Sequence, residues 1–203
     1  IPYKINVIDP SEHEFRELTF GTTLKVADVY FLIDTTGSMD SAIENVATSL
    51  ATGIVPALRD RIDDVQMGVG HFNDVPYDPY GASNDKTYWH VVDITSNDTE
   101  VQNGLNSLYG STTWGYGGDW AESHVPALWI TATGEGFTDC SESIAPRVCP
   151  AYPDEMSARV GYPCFRPDAL PIIILVSDAP WHNDGSGTYA YSCSPLMLSD
   201  SVN

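Results

Sequence analysis

The apolar run Val29-Tyr30-Phe31-Leu32-Ile33 passes without a break into Asp34-Thr35-Thr36-Gly37-Ser38. Such a run reads as a strand buried on both faces of a parallel sheet. Open α/β sheets bind ligands beyond the carboxyl ends of their strands, which is where this D-x-T-x-S loop falls. One carboxylate and two hydroxyls at alternate positions of a tight loop converge on a point. They are hard oxygen donors, suited to Mg²⁺, Mn²⁺ or Ca²⁺ rather than to zinc. The plainer account is that Asp34 caps the next helix while the hydroxyls satisfy turn backbone.

Two further acidic loops favour the cation. Asp178 follows a second apolar run, Ile172-Ile173-Ile174-Leu175-Val176-Ser177, and leads into Ala179-Pro180-Trp181-His182. Between the two strands lies Gly117-Gly118-Asp119-Trp120-Ala121-Glu122, glycine-rich and then acidic, ahead of the segment 125–132. Glycine lets backbone approach an ion closely. An aspartate at the end of a core strand is costly unless it is paired or bound to a cation.

These residues carry a family resemblance. Residues 29–39 resemble the first metal-ion-dependent adhesion site segment of a von Willebrand factor A (vWA) domain, most similar to the I-like domain of integrin β subunits. Gly68-Val69-Gly70-His71-Phe72-Asn73-Asp74-Val75-Pro76 resembles that family's second strand, and Trp89-His90-Val91-Val92 its third. Residues 118–122 resemble its acidic loop and 176–179 the end of its fourth strand, so the likeness spans 28–193 with an unmatched stretch between. The resemblance implies an α/β, vWA/Rossmann-like fold. Its central, mostly parallel sheet would be flanked by helices, with the metal site at the C-terminal edge of the strands.

It also implies a ligand set. Thr36, Ser38 and Glu122 would hold Mg²⁺ (or Mn²⁺) directly, while Asp34 and Asp178 act mostly through water. A coordination position stays open for an acidic side chain of a partner protein or peptide. The family's second cation site, a Ca²⁺ candidate, maps to Asp74 and Asp119 with backbone oxygens near Gly117 and Ala121. That family usually has a side-chain amide where Gly117 stands, so the second site departs from the pattern. A third site is not expected, because Ser41 and Ala42 replace its acidic pair and Asp40 is out of register.

Composition fits a secreted or surface domain, here taken as one unit over 1–203. Of 203 residues, 28 are Asp or Glu and 9 are Lys or Arg, a formal net charge of −19. Such a surface disfavours nucleic acid and anionic lipid and favours cations or basic partners; most of it needs no explanation beyond solubility. Cys140, Cys149, Cys164 and Cys193 form no C-x-x-C pair, so disulfides in an oxidising compartment are expected rather than zinc. Three pairings are possible; the resemblance favours Cys193 with an upstream partner. No stretch is apolar enough to span a membrane.

Along the chain, 1–25 is a mixed leader. A helix is expected from Met39 with Ala42, Val46, Leu50 and Ile54 recurring, broadened by Ala47 and Ala51 and ending near Pro56. Strands are expected over 65–72 and 88–94, and a helix over 98–108 capped by Ser96 or Asn97. The Cys/Pro-rich insertion 134–170 either folds over the metal face or decorates another surface. Either the fold's last elements lie beyond this chain or the domain is permuted or truncated.

Tyr109, Trp114, Tyr116 and Trp120 surround the glycines, and Trp181 follows Asp178. Trp114, Tyr116, Trp120 and Trp181 are ligand-contact candidates, or else fill a small loop core. His182 has no motif-partnered nucleophile and reads as a surface or turn histidine. The leading function is a divalent-metal-dependent adhesion or ligand-binding module, not an enzyme. A structural cation-binding domain comes second, and a metal-dependent hydrolase, for which no general base is placed, comes last. The short 76–88 connection points to a distant relative of integrin β, such as a bacterial one, rather than an integrin subunit.

Overall fold

The computed structural model describes residues 25–108, 115, 117–152, 155, 157–182 and 191–193. The 29–33 run forms the centre of β1 (Val26–Asp34), buried from Ala27 onward. It pairs in parallel with β2 (Asp64–Phe72) on one side and with β6 (Leu170–Val176) on the other. β3 (Trp89–Thr95) runs antiparallel to β2, giving a sheet of order β3-β2-β1-β6. The mostly parallel α/β fold expected from the sequence is the one observed.

The period of two along β1 divides the core. Val29, Phe31 and Ile33 face one side, packed with Met39, Ile43 and Leu50 of the first helical segment and Val101, Leu105 and Leu108 of α3 (Asp98–Leu108). Tyr30 and Leu32 face the other side, with Ala127 and Ile130 of α4 (His124–Thr133) and with Ile144 and Phe165. Burying each such aliphatic side chain contributes about 1.5–3 kcal/mol.

The first helical segment keeps much of its expected stripe, with Leu50 and Ala47 buried, but adds Ile43 to it. It opens with a 3₁₀ turn (Gly37–Met39) and continues as α1 (Asp40–Ser49), which buries Ile43 and Ala47 and partly buries Ala42 and Val46. The chain does not stop at Pro56. A π-helical turn (Leu50–Ile54) leads into α2 (Val55–Arg59), where Pro56 occupies the first turn. A proline there forfeits no hydrogen bond within α2 itself, which explains why it is tolerated. α3 begins as expected, with Asn97 Oδ1 accepting from the N–H groups of Thr99 and Glu100.

The insertion 134–170 forms the hairpin β4 (Phe137–Asp139) and β5 (Glu142–Ile144), followed by irregular chain. Disulfides join Cys140 to Cys193 and Cys149 to Cys164, so Cys193 does have an upstream partner. Arg147 grips Asp93 of β3 with two nitrogens at 2.6 and 2.7 Å. Arg166 donates to Asp28 at 2.7 Å and to Asp64 at 2.7 Å, at the starts of β1 and β2. The insertion is thus anchored to the sheet's flank and to the strand ends opposite those that carry Asp34 and Asp178.

Small residues on one face of β2 have a definite cause. The Tyr30 ring lies across Gly68 and Gly70, and its hydroxyl bonds the Tyr88 hydroxyl at 2.8 Å. A Cβ on Gly70 would stand 2.8 Å from Tyr30 Cζ and 2.9 Å from the Trp89 carbonyl oxygen. Gly70→Ala is expected to destabilise the fold by about 1–3 kcal/mol. A lowered urea midpoint with an unchanged slope checks this, and an unchanged midpoint contradicts the packing.

Candidate metal centre

Parallel register brings the three acidic loops together. Asp34 at the end of β1 lies opposite Phe72, one residue before Asn73-Asp74, and Ile33 lies opposite Val176, directly before Ser177-Asp178. Glu122 is tied to the last of these loops by its backbone. Its N–H donates to the Pro180 carbonyl at 3.0 Å, and its carbonyl accepts from the N–H of His182 at 3.1 Å and of His124 at 2.9 Å.

Around this frame the hydroxyl protons are all claimed. Asp34 Oδ1 accepts from the Thr36 N–H at 2.9 Å and the Thr36 hydroxyl at 2.7 Å, and Oδ2 accepts from the Ser177 hydroxyl at 2.7 Å. Ser38 donates its hydroxyl to Asp178 Oδ1 at 2.9 Å. With their protons turned toward carboxylates, Thr36 and Ser38 keep lone pairs for another acceptor of electron density.

Glu122 supplies the decisive feature. Its side chain is 4% exposed and its Oε2 is buried with no hydrogen-bond partner. Burial, and then the charges of Asp34, Asp74, Asp85 and Asp119, push its carboxyl up to about 10. Burial likewise raises Asp34, against the hydrogen bonds from Ser177 and Thr36. A cleft of about 300 Å³ is lined by Thr36, Ser38, Asp119, Trp120, Glu122 and Asp178. A carboxylate with an orphaned oxygen in the same cleft wall as two hydroxyls is the donor chemistry of a hard divalent cation.

A second cluster lies beside the cleft. Asp74 and His182 are each 0% exposed, and Asp119 completes a group whose candidate ligand atoms lie within 4.8 Å of one another. Asp74 Oδ1 accepts from the Val75 N–H at 2.7 Å and from the Tyr191 hydroxyl. Ala121 N–H holds Asp119 Oδ1 at 3.2 Å, and Gly117, at φ +62°, lies against Glu122: a Cβ there would be 3.0 Å from Oε1. His182 lies in a turn, one of the two places expected of it, but it is buried rather than on the surface. The loop after β6 folds back onto Glu122 and carries the imidazole under Tyr80 and Tyr191.

Of the aromatic candidates, Trp120 is 69% exposed on the cleft wall and Trp181 is 45% exposed, stacked on His124. Trp114 and Tyr116, with Tyr109, lie outside the described residues. None of the residues that line the cleft comes from the insertion, which leaves the surface-decoration reading for most of 134–170. Its exception is Cys140, whose bond to Cys193 holds the neighbourhood of Tyr191 against Val75. Sequence reasoning also missed Ser177, whose hydroxyl orients Asp34; it follows a strand, but nothing in its type singles it out.

Residues 25–108 match the sequence profile of the family described as the integrin beta chain VWA domain. The matched residues make up less than half of the chain, and they include Asp34, Thr36, Ser38 and Asp74. Asp119, Glu122 and Asp178 lie beyond them and join the site through the fold. No curated protein matches the chain. The integrin-β type of vWA domain is an adhesion-type, divalent-cation-binding module that engages protein ligands. The two disulfides accord with an extracellular or cell-surface setting, and no helix of the described residues is long and apolar enough to cross a membrane.

The raised Glu122 carboxyl gives a pH prediction for metal-stripped protein. The folded state binds a proton that the unfolded state releases near 4.5, so this contribution to stability is fully present below about 4.5 and drains away as pH climbs toward about 10. In chelator, urea stability is expected to fall from pH 5 to pH 8, and the fall should be smaller in Glu122→Gln. Equal pH slopes for the two proteins contradict the assignment.

Proposed function

We propose that this domain is a divalent-metal-dependent ligand-binding module in which Thr36, Ser38 and Glu122 hold Mg²⁺ or Mn²⁺ and a partner's acidic group completes the coordination. The observation that carries this reading is that Glu122, whose buried Oε2 has no hydrogen-bond partner, lines the same cleft as Thr36 and Ser38. When bound, the cation supplies the positive charge that an incoming carboxylate ligates.

The chain's own residues do the rest. Asp34 takes the Thr36 hydroxyl proton and Asp178 takes that of Ser38, so both oxygens are oriented before any ligand arrives. Ser177 keeps Asp34 from turning by holding its second oxygen. The backbone bonds to Pro180 and His182 lock Glu122, so its position depends on the β6 loop. Trp120 offers an exposed aromatic wall to whatever flanks the acidic group. The setting is secreted or cell-surface, and the activity is recognition rather than turnover.

Net charge shapes how such a ligand arrives. A chain of formal charge −19 repels an acidic partner at long range. Association should therefore quicken as moderate salt screens that repulsion.

The test is calorimetry of metal-stripped protein with Mg²⁺ and then with an aspartate-containing peptide. One Mg²⁺ should bind, weakened at least about 10-fold in Ser38→Ala and in Glu122→Gln. Peptide binding should vanish in chelator. Mg²⁺ affinity unchanged in both variants sinks the reading. Mg²⁺ binding with no metal-dependent binding of acidic peptide favours a purely structural ion instead.

A further inference from the structure

We propose that Asp74, Asp119 and His182 form a mixed imidazole–carboxylate site for a Zn²⁺-class ion, in place of the Ca²⁺ that the sequence suggested. The inference uses the same convergence of strand ends but does not require an ion in the neighbouring cleft. His182 Nε2 lies 3.1 Å from Asp74 Oδ2 and 3.3 Å from Asp119 Oδ1. A single Nε2–H proton can point at only one of these oxygens. A shared cation satisfies all three atoms at once.

The donor types select the ion. Ligands at about 2.0–2.2 Å from a tetrahedral Zn²⁺ stand about 3.3–3.6 Å apart; the Asp119 distance of 3.3 Å meets the lower end of that range and the Asp74 distance of 3.1 Å falls just under it. Ca²⁺ and Mg²⁺ sites are built from oxygen, whereas a buried imidazole nitrogen suits Zn²⁺ and its later transition-metal neighbours. The site is also pre-built. The imidazole is fully buried, with its ring centroid 4.0 Å from that of Tyr191 and 5.2 Å from that of Tyr80. Asp74 is turned by bonds from Val75 N–H and the Tyr191 hydroxyl to its other oxygen, leaving Oδ2 for the shared position. Independently of these three residues, Oε2 of Glu122 is buried at the same end of the sheet without a protein hydrogen-bond partner.

The role of Cys140–Cys193 follows from this. That bond, two residues from Tyr191, tethers the second-site tyrosine to the β4–β5 hairpin. The insertion thereby supports the second cluster rather than the cleft.

The experiment titrates the metal-stripped full chain with Zn²⁺, and with Co²⁺ as a coloured stand-in, in excess Mg²⁺ and Ca²⁺. The expected result is one bound Zn²⁺ and a visible Co²⁺ spectrum that Zn²⁺ bleaches. Both should be weakened at least about 10-fold in His182→Ala and in Asp119→Asn, and be unchanged in Ser38→Ala. Asp119 is partly exposed, so its variant tests the site even if His182→Ala fails to fold. The proposal is overturned by no Zn²⁺ binding, by displacement of Zn²⁺ at equal Ca²⁺, by Zn²⁺ affinity indifferent to Asp119→Asn, or by loss of Zn²⁺ in Ser38→Ala, which would put the ion in the cleft. Mg²⁺ binding lost in Ser38→Ala but kept in Asp119→Asn would leave the proposed function standing whatever the Zn²⁺ result.

Discussion

Negative charge concentrated at one end of a parallel sheet is the constraint that organises the rest of this domain. Asp34, Asp74 and Glu122 are buried there, with Asp119 and Asp178 beside them. Buried carboxylates of like charge cannot all ionise without compensation. Protein donors satisfy Asp34 through Thr36 and Ser177, and Asp74 through Val75, Tyr191 and His182. They leave Glu122 Oε2 without any partner. Two outcomes remain for that oxygen: a proton, which the shift to about 10 describes, or a cation. The hydroxyls of Thr36 and Ser38, oriented with their protons away, make the cation the better fit.

The scaffold serves that end of the sheet by placing its irregular parts elsewhere. The insertion 134–170 is held by Arg147 on Asp93 and by Arg166 on Asp28 and Asp64, away from the cleft. Among its described residues, Cys140 reaches the second cluster through its bond to Cys193. The loop after β6 does the opposite work. By bonding Glu122 through Pro180 and His182 it couples the two cation candidates through a few residues of backbone. An ion that draws on His182 would therefore also steady Glu122.

Much of this was legible in the chain. The uninterrupted apolar runs of β1 and β6 announce parallel core strands, and an acidic residue at the end of each marks the binding edge. Their lateral order, with β1 between β2 and β6, is set by tertiary packing and has no local signal in the chain. Local signals were weaker wherever tertiary packing decides. The expected stripe missed Ile43, which is buried at the centre of the packing while Ala42 and Val46 pack at its edge. Pro56 suggested a stop, but a preceding π turn realigns the chain so that the proline enters a new first turn. His182 was misjudged because nothing local reveals that the β6 loop doubles back onto Glu122. Burial of a loop histidine is set by contacts more than a hundred residues away, with Asp74.

The central claim is that Glu122 Oε2 ligates a cation together with Thr36 and Ser38. A crystal soaked in Mn²⁺, measured for anomalous scattering, addresses it most directly. The account predicts a peak within ligand reach of Thr36 Oγ1, Ser38 Oγ and Glu122 Oε2, at the floor of the cleft. No peak there at saturating Mn²⁺, with Glu122 Oε2 hydrogen-bonded to a protein donor instead, would contradict it.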